Sequence, residues 1–398
     1  MQIIEIVDDF IQNKIDQTKI LIFAFITFVI FYTINFEIFN IFSTDYQLRY
    51  KPNGINYIDQ LINFNFTEIN FLNFYLIPEL ITGILLKITP NELYFSIVSN
   101  LVNIVFLFLS FEFFFKSLII KNKNYVILIF LMIFFMYVAN WQWCFWKLAD
   151  IYFLFIFSLI FYLTCETIKK KKISYFFCTF FLCLISLIIK PQGIISLPFL
   201  FLGLISFFDL KKINLVKLLF LLFLLYCFIY PIFIFILTKT NSPNFLHVFV
   251  HFMSKGYISA TVIYTYNDFL NQFLLETNKL TEIIYYYFLF FKKIIYQLTF
   301  IRETYSTNHN IFLLFYCLTI YGFIICNFNH LKNNNRIFLS LTLLVNLLSI
   351  LLHSSLNTAD EPNRHQLFNL VPIYILVSIS VLRYKNTLLL NLKKISNN

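Results

Sequence analysis

Apolar runs of about 20 residues recur along this chain, and they limit its fold more than any other feature. A helix of that length crosses a bilayer, and it satisfies its own backbone polar groups while doing so. The 398 residues are 60% hydrophobic and only 13% charged, and Phe alone contributes 55. A soluble domain typically carries about 25% charged residues. The sequence therefore predicts an all-α polytopic membrane protein.

We predict about ten spans, at 19–42, 93–115, 124–140, 151–168, 173–190, 192–208, 213–238, 310–326, 337–353 and 367–382. Lysine and arginine cluster in every second connection between these spans. The basic positions are Lys116, Lys121, Lys123, Lys169 to Lys172, Lys211, Lys212, Lys217, Lys332, Arg336, Arg383, Lys385, Lys393 and Lys394. Because cytoplasmic loops carry the excess of these residues, the pattern predicts that both termini are cytoplasmic.

The alternation requires the segment 69–88 to stay on one side, because another span there would move every later loop across the membrane. Pro78, Glu79, Gly83 and Lys87 interrupt that segment. We therefore predict a helix that lies at the outer interface rather than one that spans.

Two outer loops are long under this topology, and they cover 43–92 and 239–308. Within the second loop, Glu282–Phe300 is apolar but contains two lysines, which predicts another interfacial or re-entrant helix. No internal repeat and no Gly- or Pro-rich linker divides the sequence. We therefore predict a single integral membrane domain over 1–398.

Ionisable residues gather near the predicted outer face, which indicates a site there. The predicted site residues are Asp45, Arg49, Asp59, Asp150, Lys190, Glu361, Arg364 and His365, with Glu79 and Lys147 nearby. A carboxylate at the edge of a bilayer is costly unless it is paired or used. Asp45 directly follows the first span, so we predict a catalytic or substrate-binding role for it. The alternative is that Asp45 caps an interfacial helix.

Other members of this set also have structural alternatives. The three tryptophans of 141–146 are predicted to form an interfacial belt, although rings at such a position also stack on sugars. Lys190 either extends its ammonium to the membrane surface or holds a lipid phosphate. Glu361 and Arg364 form an ion pair or contact substrate.

Two further pairs depend on helical spacing. Asp150 follows Lys147 by three residues, so it either pairs with that lysine on one helix face or contacts substrate. His247 and His251 stand at i, i+4, which suits a metal ion, but no third ligand accompanies them. We therefore predict no metal site.

Short motifs follow one another in chain order around these residues. They are Ser43–Tyr50, Tyr75–Leu80, Ser99–Asn103, Trp146–Asp150, Lys190–Gly193 and Glu361–Pro372. Their order and their common predicted face resemble the GT-C superfamily of membrane glycosyltransferases. The resemblance is to bacterial members akin to protein mannosyltransferases and lipid A aminoarabinose transferases.

The resemblance implies transfer of a sugar from a polyprenyl-phosphate carrier to a glycan, lipid or protein acceptor at the extracytoplasmic face. Asp45 would be the general base of an inverting reaction that needs neither metal nor other cofactor. Lys190 and Arg364 would stabilise the leaving lipid phosphate. Asp150 and Glu361 would bind sugar hydroxyls or orient those cations.

The sequence departs from the family at two positions. Many relatives have two adjacent acids after the first span, so Asp59 or Asp150 would have to supply the second charge here. Lys190 stands where relatives have arginine. Arg49 and His365 complete the predicted substrate and phosphate contacts.

Two other functions stay open, an O-antigen or exopolysaccharide polymerase and a polytopic transporter or flippase. A polymerase would use more outer-loop arginine than Arg49, Arg302 and Arg364 supply, and a transporter would place more charge at the bilayer midplane. The net charge of +10 comes from lysines beside spans, so no nucleic-acid partner is predicted. We expect a multi-pass protein of a bacterial inner membrane, with its cysteines in the core.

Overall fold

A computed structural model describes the backbone of residues 17–64, 75–120, 123–207, 294–295, 298–299, 306–355 and 362–396, without the side chains of 191, 194, 351–366 and 385–396. The regular elements in these residues are all helical. The helices are α1 Gln17–Ile34, α2 Phe36–Phe39, α3 Lys51–Ile62, α4 Leu76–Ile88, α5 Glu92–Lys116, α6 Lys123–Met136, α7 Asp150–Lys170, α8 Ile173–Leu187, α9 Leu197–Phe207, α10 Thr307–Cys326, α11 Phe328–Asn334, α12 Arg336–Ser355 and α13 Pro362–Ser396. Short π- or 3-10-helical turns cover Tyr46–Tyr50, Val138–Asn140, Gln142–Phe145 and Pro191–Ser196.

Five of the described helices are long and apolar enough to cross a membrane, namely α1, α5, α7, α10 and the Leu367–Tyr384 part of α13. The prediction of an all-helical fold is therefore confirmed for the described residues, and these five helices indicate an integral membrane protein. Shorter apolar helices stand at four more predicted spans, as α6, α8, α9 and α12. The predicted span 213–238 lies outside the described residues. Within the described residues five spans are thus supported, and the total of about ten stays a prediction.

The first span is shorter than the sequence predicted. α1 ends at Ile34, and the side chain of Asn35 donates a hydrogen bond to the Phe31 carbonyl oxygen at 2.8 Å. An asparagine amide that bonds to the backbone in this way competes with continuation of the helix. The single turn α2 follows, so the predicted span 19–42 is wrong at its C-terminal end.

The segment 69–88, predicted as an interfacial helix, contains α4. One face of α4 is buried against protein through Leu76, Glu79 and Gly83, whereas Ile88 on another face is exposed. This two-sided character is what an interfacial helix requires. The position of α4 in a bilayer stays a prediction.

Aromatic packing joins the two longest apolar helices of the N-terminal half. Phe106 of α5 stacks on Phe155 of α7 with ring centroids 4.8 Å apart, and Phe114 meets Phe161 edge-on at 5.3 Å. Such pairs stabilise by about 0.5–1.5 kcal/mol beyond the burial of their area. They make α5 and α7 the frame on which the polar residues below are placed.

The ends of α5 and α7 follow ordinary helix chemistry. The Asn91 side chain accepts a hydrogen bond from the Leu93 amide at 2.8 Å, which caps α5. Acids begin both helices and lysines end them, as the helix dipole favours. The cluster described below lies at the N-terminal ends of both helices, because Asp150 begins α7 and Tyr46 stacks on Phe95 near the start of α5.

The chain groups into two compact units. The first comprises residues 1–208, 319–342 and 364–398, and the second comprises residues 209–318 and 343–363. All contacts discussed below lie within the first unit. The prediction of one membrane domain stays a prediction.

Candidate active site

A helix start places Asp45. The Ser43 hydroxyl accepts a hydrogen bond from the Tyr46 amide at 3.1 Å, so Ser43 caps the helix that begins here. Asp45 makes no capping hydrogen bond, and the alternative that it is a cap is therefore wrong. Its partly buried carboxylate lies in the first helical turn, where the helix dipole favours negative charge.

The helix continues through one π-helical turn, Tyr46–Tyr50, in which the Lys51 amide bonds to the Tyr46 carbonyl oxygen. Turns of this type are rare and frequent at functional sites. The turn carries Arg49 and Tyr50 into α3, so Asp45, Arg49 and Tyr50 lie within one short stretch of helix. Sequence patterns for π turns are weak, and the sequence did not predict this one.

Arg49 is held by an acid from the next helix. Its Nε lies 3.0 Å from Oε1 of Glu79 in α4, and the guanidinium lies over the Tyr75 ring at 3.9 Å from the centroid. Asn53 donates to the same Glu79 oxygen at 3.1 Å. Because Glu79 is fully buried, these donors are what makes its charge tolerable.

Two glycines allow α3 and α4 to touch at this point. A Cβ placed on Gly54 would lie 2.8 Å from the Gly83 nitrogen and closer still to the Glu79 carbonyl oxygen. A Cβ on Gly83 would meet Ile58 at 2.7 Å. Only glycine permits such backbone contact, and the contact brings Arg49 within reach of Glu79.

The second ion pair is Asp150 with Lys190. Asp150 begins α7, and Lys190 lies in the turn after α8. Both side chains are almost completely buried, with Lys190 3% exposed. The turn is tight, because the Gly193 amide bonds to the Lys190 carbonyl oxygen at 2.8 Å. The interpretation of Lys190 as a surface-seeking lysine is therefore wrong, as is the pairing of Asp150 with Lys147.

Tyr50 brings these groups together. Burial raises the pKa of its phenol well above the usual range, the nearby Tyr75, Asp45 and Asp150 raise it further, and Arg49 lowers it. The phenol is therefore a hydrogen-bond donor at neutral pH. Within the described part of the chain its hydroxyl makes no hydrogen bond.

We call this set the acid–base cluster, and it is formed by Asp45, Arg49, Tyr50, Glu79, Asp150 and Lys190. It joins α3, α4, α7 and the turn after α8. The N-terminus of α4 is tied to that turn by a hydrogen bond from the Ile77 amide to the Ile188 carbonyl oxygen at 3.2 Å. Three acids, two cations and a protonated phenol from separate segments are therefore held in one place.

Lys147 lies beside the cluster and is bound in a different way. Its ammonium donates to the Ile41 carbonyl oxygen at 2.8 Å and to the Phe145 carbonyl oxygen at 3.3 Å, with Asn100 Oδ1 at 3.4 Å. The residue is 4% exposed, and its backbone has φ 51°. Burial lowers the pKa of Lys147 to about 7. This lysine thus anchors the backbone that leads into Asp45.

A polar face of α5 holds the connection before α7. It consists of Ser96, Ser99, Asn100 and Asn103, all buried at helical spacing. Asn103 donates to the Cys144 carbonyl oxygen at 2.7 Å, and Asn100 donates to the Tyr32 hydroxyl at 3.1 Å. Irregular backbone at this depth is tolerated because protein side chains satisfy it.

The predicted tryptophan belt is wrong for two of its three members. Trp141 and Trp143 are buried inside the protein. Trp141 packs edge-on against Phe28 at 5.6 Å and donates through Nε1 to the Phe135 carbonyl oxygen at 3.2 Å. These rings belong to the core that supports Lys147.

Some predicted residues lie elsewhere. Asp59 pairs with Lys87 at 2.6 Å with both side chains about half exposed, and fourteen residues of helix put it roughly 20 Å from Asp45. Of the two acids expected to supply a second charge near Asp45, the structure therefore places Asp150 in the cluster and Asp59 apart from it.

The last predicted loop is largely beyond what the structure describes. Arg364 and His365 belong to the first turn of α13, with their side chains outside the described set, and Glu361 lies outside it altogether. His247, His251 and the segment 282–300 stay predictions in the same way.

The sequence analysis placed Tyr50 in a motif without a chemical role, gave Glu79 no role and gave Lys147 only the pairing with Asp150 that proved wrong. A usable signal for Glu79 is that it stands, with Gly83, on the otherwise apolar α4. Comparison with known proteins does not extend the assignment: no family model matches the chain, and neither the curated proteins nor the solved structures give a match.

Proposed function

We propose that the acid–base cluster transfers a sugar from a polyprenyl-phosphate carrier to an acceptor hydroxyl. The proposal is supported above all by the convergence of Asp45 with the Asp150–Lys190 pair around the Tyr50 phenol. Residues 45, 150 and 190 are far apart in the chain, and they meet in a helical membrane protein where buried charge is rare. A pair of acids with cations and a donor is a set that suits glycosyl transfer.

The chemical step follows from these groups. The acceptor oxygen attacks the anomeric carbon, the bond from that carbon to the carrier phosphate oxygen breaks, and the bonding electrons leave with the phosphate. Asp45 takes the acceptor proton as general base. Because a phosphate diester bond releases a stable anion, the leaving group needs cationic contact more than it needs protonation.

Arg49 and Lys190 are the described cations of the cluster, and each is already bound to a buried acid. Those acids hold the cations in place before substrate arrives, which preserves catalytic geometry. The Tyr50 phenol adds a neutral donor that keeps its proton at the working pH. Arg364 and Glu361, predicted to act from the last loop, would complete the site, and extracytoplasmic action in a bacterial inner membrane belongs to the same proposal.

The test is Asp45→Asn, which keeps the size of the side chain and removes the base. Membranes that contain the variant are supplied with tritium-labelled polyprenyl-phosphate hexoses, and release of carrier phosphate is followed. We expect a loss of roughly 10²–10⁴-fold, the typical contribution of a positioned base. Full activity in Asp45→Asn would refute its assignment.

The matched control is Glu37→Gln, which removes an exposed acid on α2, just before the cluster. It should leave both activity and protein abundance unchanged. Loss in both variants would indicate a general effect of charge. A polymerase or a transporter would release no carrier phosphate from a monosaccharide donor even in the wild type, so this assay also separates the alternatives.

A further inference from the structure

A pocket with polar and apolar lining residues lies far from the acid–base cluster, at the C-terminal end of α5. It has a volume of about 700 Å³, within the usual range for small-molecule sites. Lys123, His330 and Asn335 supply its main polar groups, and Leu118 and Ile379 are among its apolar ones. None of the described residues that line it is acidic.

Asn335 is the first sign that this pocket takes a ligand. The residue is only 6% exposed, yet its side-chain amide makes no hydrogen bond within the described part of the chain. The side chain lines the pocket, so its NH₂ group can donate a hydrogen bond to a ligand with acceptor oxygens.

The one lysine of the pocket lining, Lys123, points to a negatively charged ligand. The Lys123 ammonium makes no ion pair or hydrogen bond to the described residues. Burial and then the positive charge of Lys169 lower the pKa of Lys123, with Glu112 raising it. The pKa of His330 is lowered by burial and by Arg383. The lining itself holds one lysine and, among its described residues, no acid.

The neighbouring ionic groups are already used. Lys169 donates to the Ser117 carbonyl oxygen at 2.9 Å, and Arg383 donates to Asn327 Oδ1 at 3.2 Å. Glu112 pairs with Lys116 at 3.3 Å. Lys123 is thus the cation that a ligand can neutralise without breaking an existing contact.

The pocket and the cluster lie at opposite ends of α5. Tyr46 of the cluster's π turn stacks on Phe95 at 5.1 Å, whereas Leu118 follows the last turn of the helix. The helix rises about 32 Å from Phe95 to Lys116, close to the hydrocarbon thickness of a bilayer. The two sites therefore lie about one bilayer thickness apart along α5.

We propose that this pocket binds a phosphate group, carried by a lipid or by a small soluble anion, at the face opposite the acid–base cluster. A phosphate offers three peripheral oxygens, which match an ammonium, an imidazole and an amide donor better than the two oxygens of a carboxylate do. The apolar walls suit the group that bears the phosphate. The proposal goes beyond sugar transfer and does not depend on it.

The test measures binding to the full chain, purified in a neutral maltoside detergent, by titration calorimetry. One arm adds inorganic phosphate, matched by chloride at equal ionic strength. The other arm adds dioctanoyl phosphatidic acid, matched by dioctanoylglycerol. The variants are Lys123→Met and Asn335→Leu, and the control is Lys332→Met, an exposed lysine of α11 that does not line the pocket.

We expect saturable binding to the wild type, weakened roughly tenfold or more by Lys123→Met, less by Asn335→Leu and not by Lys332→Met. Binding in the lipid arm alone identifies a headgroup, and binding in both arms identifies phosphate itself as the determinant. Absence of binding to the wild type in both arms, or an equal loss in Lys332→Met, overturns the proposal. Since no sugar transfer is measured, the result is independent of Asp45.

Discussion

Lys147 and Lys190 are buried to nearly the same degree, 4% and 3% exposed, but their surroundings differ. Lys190 meets the carboxylate of Asp150, whereas Lys147 meets two carbonyl oxygens and an amide oxygen. The Lys190 contact joins α7 to the turn after α8. The Lys147 contact joins the irregular backbone before α7 to the backbone that leads to Asp45.

The difference shows two ways to keep an ammonium inside this protein. A carboxylate partner compensates the charge, so removal of either member leaves the other as an uncompensated charge in the low-dielectric interior. Carbonyl oxygens supply dipoles but no opposite charge, so burial lowers the pKa of the lysine that they hold. We expect Lys190 to determine stability and Lys147 to determine how stability depends on pH.

The largest expected effect is that of Asp150→Asn, which breaks the paired side of this comparison. The variant keeps the shape of the side chain but leaves the Lys190 ammonium without the Asp150 charge. We expect the free energy of unfolding to fall by about 3–5 kcal/mol. Thermal and denaturant unfolding of the purified protein in neutral detergent would measure it, and a loss below about 1 kcal/mol would show that the pair is unimportant.

Lys147→Met tests the unpaired side. In the wild type the pKa of Lys147 is about 7 when folded and 10.5 in the ordinary state, so the unfolded chain binds more protons between these values. Stability should therefore rise with pH from about 7 towards 10.5, by at most about 1.4 kcal/mol per pH unit. The variant should lose this slope.

Unfolding curves of the wild type and Lys147→Met at pH 7, 8 and 9 would reveal the difference. Lys51→Met serves as the control, because Lys51 is more exposed and pairs with Glu92. If the free energy of unfolding varies with pH in the same way in the wild type and in Lys147→Met, burial does not lower the pKa of this lysine.

A smaller change is expected for the double variant Asp150→Leu with Lys190→Met. Replacement of a buried ion pair by apolar side chains of similar volume is often close to neutral for stability, here within about 2 kcal/mol of the wild type. Sugar transfer, if the proposed function is correct, should nevertheless be lost. Stability near that of Asp150→Asn would mean that local packing, and not charge, explains the single variant.

The smallest effect is expected for Asp59→Asn at the Asp59–Lys87 pair. Both side chains are about half exposed, and such pairs contribute about 0–1 kcal/mol. The same unfolding experiment should find little change, and that change should vanish at high salt. A loss comparable to that of Asp150→Asn would remove the distinction between buried and exposed pairs.

Much of the helical architecture could be predicted, because the length of each apolar run is read directly from the sequence. α5 and α7 matched predicted spans within a few residues, and the convergence of residues near 45, 150 and 190 was expected from topology. The early end of α1 was missed because Asn35 acts through a single side-chain hydrogen bond.

The pairing of charges could not be predicted from spacing. Asp150 stands three residues from Lys147 but pairs with Lys190, because α7 begins at Asp150 and Lys147 precedes the helix with a left-handed backbone. The i, i+3 rule applies only when both residues are helical. Likewise, Arg49 finds Glu79 through the Gly54–Gly83 contact between α3 and α4, which depends on tertiary packing.

The π turn at Tyr46–Tyr50 has a consequence for the angular phase of the helix. In a regular α-helix, two residues five positions apart point about 140° away from each other. The i to i+5 hydrogen bond of a π turn brings such residues nearly into line, so Asp45 and Tyr50 share a side of the helix. If the same residues were regular α-helix, Tyr50 would point about 140° away from Asp45, and the base and the phenol would be separated without the loss of either.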